Sequence, residues 1–187
     1  MPRVGGTAPA DVRVARTPED LDAHHRVRRE VFVHEQGIFT ADDRDGWDDD
    51  AVKVVAEIDG RVVGAVRLYP LDEAGLWKGD RLAVLRDARR LRVGAPLVRF
   101  AVRTAGERGG RRMIALIQRR NVAFFRHLGW SPLGGEADFR GTTHQEMTVD
   151  LAGAQPTFAP GGYDWALTLP AARVAATPAF DVGAPGP

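Results

Sequence analysis

A chain of 187 residues with 44% apolar side chains can bury one conventional core but is too short for two full domains. Its 26 basic and 25 acidic side chains leave a formal charge of +1, so the total gives no electrostatic case for nucleic acid or an anionic membrane as partner. The lack of cysteine excludes disulfides, thiolate metal sites and cysteine nucleophiles, and is compatible with a reducing compartment.

The opening Met1-Pro2-Arg3-Val4-Gly5-Gly6 lacks the apolar run of a signal peptide, and no later stretch reaches the roughly 20 apolar residues of a membrane span. The expectation is a cytoplasmic protein. Val12 to Ala15 alternates as a short strand, and Thr17-Pro18-Glu19-Asp20 then supplies an N-cap, a first-turn proline and acidic residues that suit a helix start. On a helical wheel Leu21, His25, Arg28, Phe32 and Glu35 share one face, apolar only in part.

A loop from Gly37 to Ala51 follows, with six aspartates around Trp47. Val52 to Ile58 and Arg61 to Leu68 read as strands joined by Asp59-Gly60, the signal for a type I′ hairpin. Trp77 to Val84 is another strand, and beyond it an arginine-rich loop from Arg86 to Arg92 enters a helix over 93–107, stopped by Gly109-Gly110. Met113 to Ile117 is a continuous apolar run, the pattern of a strand buried on both faces. A short helix over 121–128 ends at Gly129, and Glu136 to Arg140 with Gln145 to Leu151 makes a hairpin whose Met147, Val149 and Leu151 point inward. Residues 152–187 hold six of the twelve prolines and ten alanines, which predicts a largely irregular tail beyond a domain over 1–151, with Tyr163, Asp164, Trp165 and Leu167 as anchors to the body.

Chemistry concentrates first at the junction of strand, basic turn and helix. A helix N-terminus offers unpaired N–H groups and a partial positive charge to phosphate, Arg89, Arg90 and Arg92 add full charges, and Gly94 permits close backbone approach. A diphosphate-bearing ligand suits this site; a solvated basic loop capping an ordinary helix fits the same residues.

The stretch Leu82-Ala83-Val84-Leu85-Arg86-Asp87-Ala88-Arg89-Arg90-Leu91-Arg92-Val93-Gly94-Ala95 resembles the acyl-CoA signature of the GNAT acyltransferases, Arg/Gln-x-x-Gly-x-Gly/Ala after a strand. Arg89 matches its first position and Gly94 its last, while Arg92 replaces the middle glycine. Ala123-Phe124-Phe125-Arg126-His127-Leu128-Gly129-Trp130 is similar to the second signature of the family, Ala-x-x-Phe-Tyr-x-x-Leu-Gly-Phe. Phe125 stands where the family carries a tyrosine acid, so the usual proton donor to the leaving thiolate is missing. A third set, Arg28 to Gln36, Asp43 with Asp45, and Gly141 to Met147, resembles the ElaA-like subgroup, which has some likeness to acyl-homoserine-lactone synthases.

The resemblance covers about Val12 to Leu151. It implies an α+β GNAT-type acyl-CoA N-acyltransferase fold, a mixed central sheet flanked by helices. It also implies transfer of an acyl group, acetyl by expectation, from acetyl-CoA to a small-molecule or peptide amine by direct attack in a ternary complex. Contacts to the donor fall to Leu82, Val84, Arg89, Arg90, Arg92, Val93, Gly94, Ala95, Gln118, Asn121 and Phe125, and Arg28 and Phe32 line the acceptor side.

Glu35 and His144 are the candidates for proton transfer, a carboxylate on a partly apolar helix face and an imidazole opening a strand. Glu35 with Arg28 reads equally as an internal ion-pair network, since charges on a partly buried face need partners. His24, His25, His34 and His127 have weaker claims. No metal is expected: Asp43, Asp45 and Gly46 fit a calcium loop, but Ala41 and Val52 occupy its first and last ligand positions. The acidic loop then reads as a solvated loop or a collar for a cationic amine. Three other functions fit the same residues: lactone-synthase-like acyl transfer, a catalytically silent CoA-binding module, and an interaction subunit whose tail docks on a second copy or a partner enzyme.

Overall fold

The computed structural model describes residues 9–151, so the expected tail and its aromatic anchors lie outside the described residues. In chain order the elements are β1 (Asp11–Val14), α1 (Pro18–Arg29), a π-helical continuation (Glu30–Glu35), β2 (Val52–Ile58), β3 (Arg61–Pro70), β4 (Leu76–Val84), α2 (Gly94–Glu107), β5 (Arg112–Gln118), α3 (Val122–His127), β6 (Ser131–Phe139) and β7 (Thr142–Asp150). The strands form a seven-stranded sheet in the order β1-β2-β3-β4-β5-β7-β6. It is mixed: β4 runs parallel to β5, whereas β1–β2, β5–β7 and β6–β7 are antiparallel. A parallel pair needs a crossover, and α2 supplies it.

The chain divides into two compact units. The first holds Met1–Asp45, Val52–Arg67 and Arg81–Ala101; the second holds Gly46–Ala51, Leu68–Asp80 and Val102–Pro187.

In the first unit, Thr17 caps α1 by accepting from the Asp20 amide at 3.2 Å, with Pro18 at the first helical position. Val27, Val31 and Phe32 pack with Ala65 and Ala83, joined by Ile38, Phe39, Val62 and Leu85. The β2–β3 turn has φ of 49° at Asp59 and 77° at Gly60, two positive angles as a type I′ turn requires. Gly64 lets the start of α2 sit on β3, since a Cβ there would lie 2.6 Å from Leu97 Cδ1 and 3.2 Å from Val93 Cγ1.

In the second unit, the parallel ladder of β4 with β5 spans only Leu76–Lys78 against Arg112–Ile114, while β5 pairs with β7 along its whole length. The expectation that β5 is buried on both faces is corrected: Met113, Ala115 and Ile117 are buried, but Ile114, Leu116 and Gln118 are only partly covered. A run of apolar residues hides this alternation because Ile114 and Leu116 are themselves apolar. The final hairpin is longer than predicted, with an irregularity between Pro132 and Glu136. Met147 and Leu151 are buried as predicted, and Val149 is partly covered.

Candidate active site

The strand, turn and helix singled out in the sequence form within the first unit. After β4, Arg86–Leu91 makes a 3-10 turn, Arg92 adopts the left-handed conformation at φ 56° and ψ 32°, and α2 starts at Gly94. The position where the family signature has its middle glycine keeps a glycine-like backbone although an arginine occupies it, at a conformational cost of about 1–2 kcal/mol. Val93 is buried and Ala95 partly covered, which fixes the helix entrance. Leu82 and Val84 are partly covered at the end of β4.

The arginines there have different duties. Arg89 Nε donates to the Val84 carbonyl at 3.1 Å, and its Nη1 and Nη2 donate to the two Glu35 oxygens at 2.7 Å each. Arg90 and Arg92 are exposed, and among the described residues no ion pair or hydrogen bond engages their guanidinium groups. The mouth of α2 thus offers two uncommitted cations and the N–H groups of Gly94 and Ala95 to an anion.

The Gln36 amide donates to the Val31 carbonyl at 3.0 Å, the wider i to i−5 closure of a π turn that ends in Glu35. Arg28 is fully buried and its Nε donates to Asp43 Oδ2 at 2.7 Å; Arg81 Nε lies 3.2 Å from the same oxygen. Arg67, also fully buried, donates to both Asp45 oxygens at 2.6 and 2.9 Å, and Arg81 Nη2 reaches Asp45 at 3.2 Å. The reading of the acidic loop as solvated is therefore corrected for Asp43, which is buried, and Asp43 and Asp45 together engage three arginines. Phe32 is buried in the core beside this network.

Arg81 takes φ 54° inside β4, and its guanidinium stacks on Phe39 at 4.8 Å. Sequence reasoning did not single out Arg67 or Arg81, because the need for them follows from two aspartates brought near by folding.

In the second unit, Gln118 ends β5 directly opposite His144 of β7. Asn121 is exposed ahead of α3 and makes no side-chain cap. Phe125 is buried, edge-on to Trp130 and Phe124 at centroid distances of 5.3 and 5.4 Å. His144 is 6% exposed, with Nδ1 2.7 Å from the Thr142 carbonyl. A carbonyl only accepts, so Nδ1 carries a proton, and in the neutral ring Nε2 is the nitrogen with the lone pair. Phe139 stands edge-on to the ring at 6.0 Å.

Two residues along, Glu146 is 9% exposed, and burial raises its pKa against the opposing charge of Lys78. Glu146 was not among the residues expected at the site. The signal was the alternation of β7, which gives His144 and Glu146 the same parity.

Among the described residues, no helix is long and apolar enough to cross a membrane, and no group of three or more His, Asp or Glu could hold a metal.

A mixed sheet whose parallel β4–β5 ladder is short, followed by a basic turn and a helix, is the architecture of acyl-CoA N-acyltransferases. Residues 21–130 match the Acetyltransferase (GNAT) family, and the chain belongs to it. It is 29% identical over 139 residues to a Bacillus subtilis (strain 168) protein described as the uncharacterized N-acetyltransferase YjcF, covering 73% of this chain and 97% of that one.

Among solved structures, Escherichia coli ElaA superposes with a TM-score of 0.66 at 20% identity, over 74% of this chain and 98% of ElaA. The CoA-dependent acyl-homoserine lactone synthase BjaI, solved with SAM and isopentyl-CoA, superposes at 0.63 and 24% identity over 78% and 84%. At such identities these likenesses speak for the fold alone, and they match the expected α+β architecture. Acyl transfer is the chemistry that family membership assigns.

Proposed function

We propose that this protein transfers an acetyl group from acetyl-CoA to a primary amine by direct attack of the amine on the thioester, without an acyl-enzyme. The observation that carries this reading is the entrance of α2, where Arg90 and Arg92 stand uncommitted beside the N–H groups of Gly94 and Ala95. That arrangement matches a pyrophosphate in charge and donor geometry.

Leu82 and Val84 would lie along the pantetheine arm, with strand backbone polarising the thioester carbonyl. Gln118, Asn121 and Phe125 of the second unit are kept as proposed donor contacts. Arg89 serves the entrance indirectly, by holding the Val84 carbonyl and Glu35 in place.

Of the two expected proton acceptors, His144 has the better chemistry, since its Nε2 lone pair is available while both Glu35 oxygens already accept from Arg89. Phe125 has no proton to give, so the thiolate is protonated by another group or by water.

The test is calorimetric titration with acetyl-CoA, followed by thiol release with a panel of primary amines and mass identification of the product. The Arg90→Ala, Arg92→Ala double variant should weaken acetyl-CoA binding by roughly 1.5 to 3 kcal/mol per lost charged hydrogen bond. Unchanged affinity would remove the donor from this loop, and a lactone product would replace the amine reading by lactone-synthase-like chemistry.

A further inference from the structure

The even-numbered side chains of β7 share a face with those of β5, because the register sets Gln118 opposite His144, Leu116 opposite Glu146 and Ile114 opposite Thr148. Lys78 of β4 joins this face through its pairing with Ile114. The opposite face is core, with Met113 and Met147 at 1% and 0% exposure.

Carboxylates elsewhere on this hairpin have ordinary partners: Asp150 takes Arg112 at 3.3 Å and Glu136 takes Arg119 at 3.2 Å. Glu146 differs. It is 9% exposed, yet among the described residues no hydrogen-bond donor or ion-pair partner reaches its carboxylate. Gly134 of β6 lies beside it, since a Cβ there would be 3.8 Å from Oε2. The titratable groups facing it are Lys78 from β4 and His144 from its own strand, with Gln118 and Leu116 from β5.

A largely covered carboxylate that no donor engages, with Lys78 as the opposing charge, has acceptor capacity left for the cationic end of a ligand. Burial also raises its pKa from the ordinary carboxylate value, against the charge of Lys78.

We infer that Glu146 is a catalytic residue on the acceptor side, receiving the cationic end of a primary amine and taking the proton the amine must lose before attack. This rests on the amine-acceptor reading above. In the step, R–NH3⁺ gives one proton to the Glu146 carboxylate, and the freed lone pair forms the N–C bond to the thioester carbonyl carbon as the C–S bond breaks. The second proton leaves the new amide nitrogen for His144 Nε2. The thiolate is protonated by the Glu146 carboxyl, directly or through water, and His144 returns its proton to solvent.

The experiment compares wild type with Glu146→Gln and Glu146→Asp, using acetyl-CoA and a panel of primary amines as probes. Thiol release, calorimetric affinity for acetyl-CoA, and melting at pH 7.5 and pH 4 are measured for each. Glu146→Gln should lower kcat/KM for the best amine on the order of 10²-fold or more, leave acetyl-CoA affinity unchanged, and remove the acid limb of the pH–rate profile. It should also melt at or above the wild-type temperature at pH 7.5, because it removes a buried charge, and that gain should vanish at pH 4. Glu146→Asp should fall between the two.

Full turnover in Glu146→Gln, or full turnover in Glu146→Asp should the glutamine variant not fold, overturns the assignment while leaving acetyl transfer intact. Earlier melting at pH 7.5 with unchanged turnover of the folded fraction also overturns it, as a structural carboxylate would behave that way. A wild type that releases no thiol with any amine, or does not bind acetyl-CoA, refutes the amine-acceptor reading and the role of Glu146 with it.

Discussion

Acidification should unfold this protein through His24. The side chain is fully buried, and its Nε2–H donates to the Val66 carbonyl at 3.1 Å. Burial first, and then the charge of Arg28, push its pKa from 6.5 down to about 3. The folded protein therefore keeps His24 neutral, while the unfolded chain binds a proton there below pH 6.5. Stability from this source is fully present above pH 6.5 and is lost progressively as pH falls toward 3. At about 1.36 kcal/mol per pH unit, the step from pH 7 to pH 5 costs about 2 kcal/mol at this residue. Urea unfolding of wild type and His24→Gln at both pH values isolates the effect, since glutamine retains an N–H donor for Val66 and does not titrate. Wild type should lose about 2 kcal/mol more than the variant over that interval. Equal losses would refute the reasoning, because the imidazole would then take up its proton in the folded state.

Three further outcomes follow from the geometry. Asp43→Asn removes the charge facing the buried Arg28 and should destabilise by about 3 to 5 kcal/mol in chemical denaturation, with partial recovery when Arg28→Met is added. Glu35→Gln breaks a pair whose side chains are 25% and 42% exposed, so stability should fall by less than about 1 kcal/mol. Thiol release in that variant should fall less than tenfold, and a loss on the order of 10²-fold would instead make Glu35 a general base. Phe125→Tyr should fold and release thiol faster than wild type if the new hydroxyl reaches the leaving group; a melt lowered by the equivalent of about 1 to 3 kcal/mol without faster release would show a buried, unpaired hydroxyl.

The elements were legible in the sequence because they follow from local chemistry. Thr17-Pro18 starts a helix and Asp59-Gly60 turns a hairpin through constraints on a few dihedral angles, and the order of strand, arginine-rich turn and helix is written in consecutive residues. The same sequence carried the signatures by which the family is identified.

What it could not carry were pairings between residues far apart in the chain. Glu35 ends a π turn and accepts from Arg89, 54 residues away, a pairing that no local pattern announces. Arg28, Arg67 and Arg81 engage Asp43 and Asp45, so two aspartates of an apparently solvated loop belong to a charge network that reaches into the buried interior. Arg92 and Arg81 hold positive φ where side-chain chemistry alone forecasts ordinary backbone. Strand alternation puts Glu146 on the face of His144, but only the packing of β7 against its neighbours leaves it largely covered and without a donor. Register and burial are sums over contacts between distant segments, so tertiary structure alone decided which of the many charged residues were left with an unmet need.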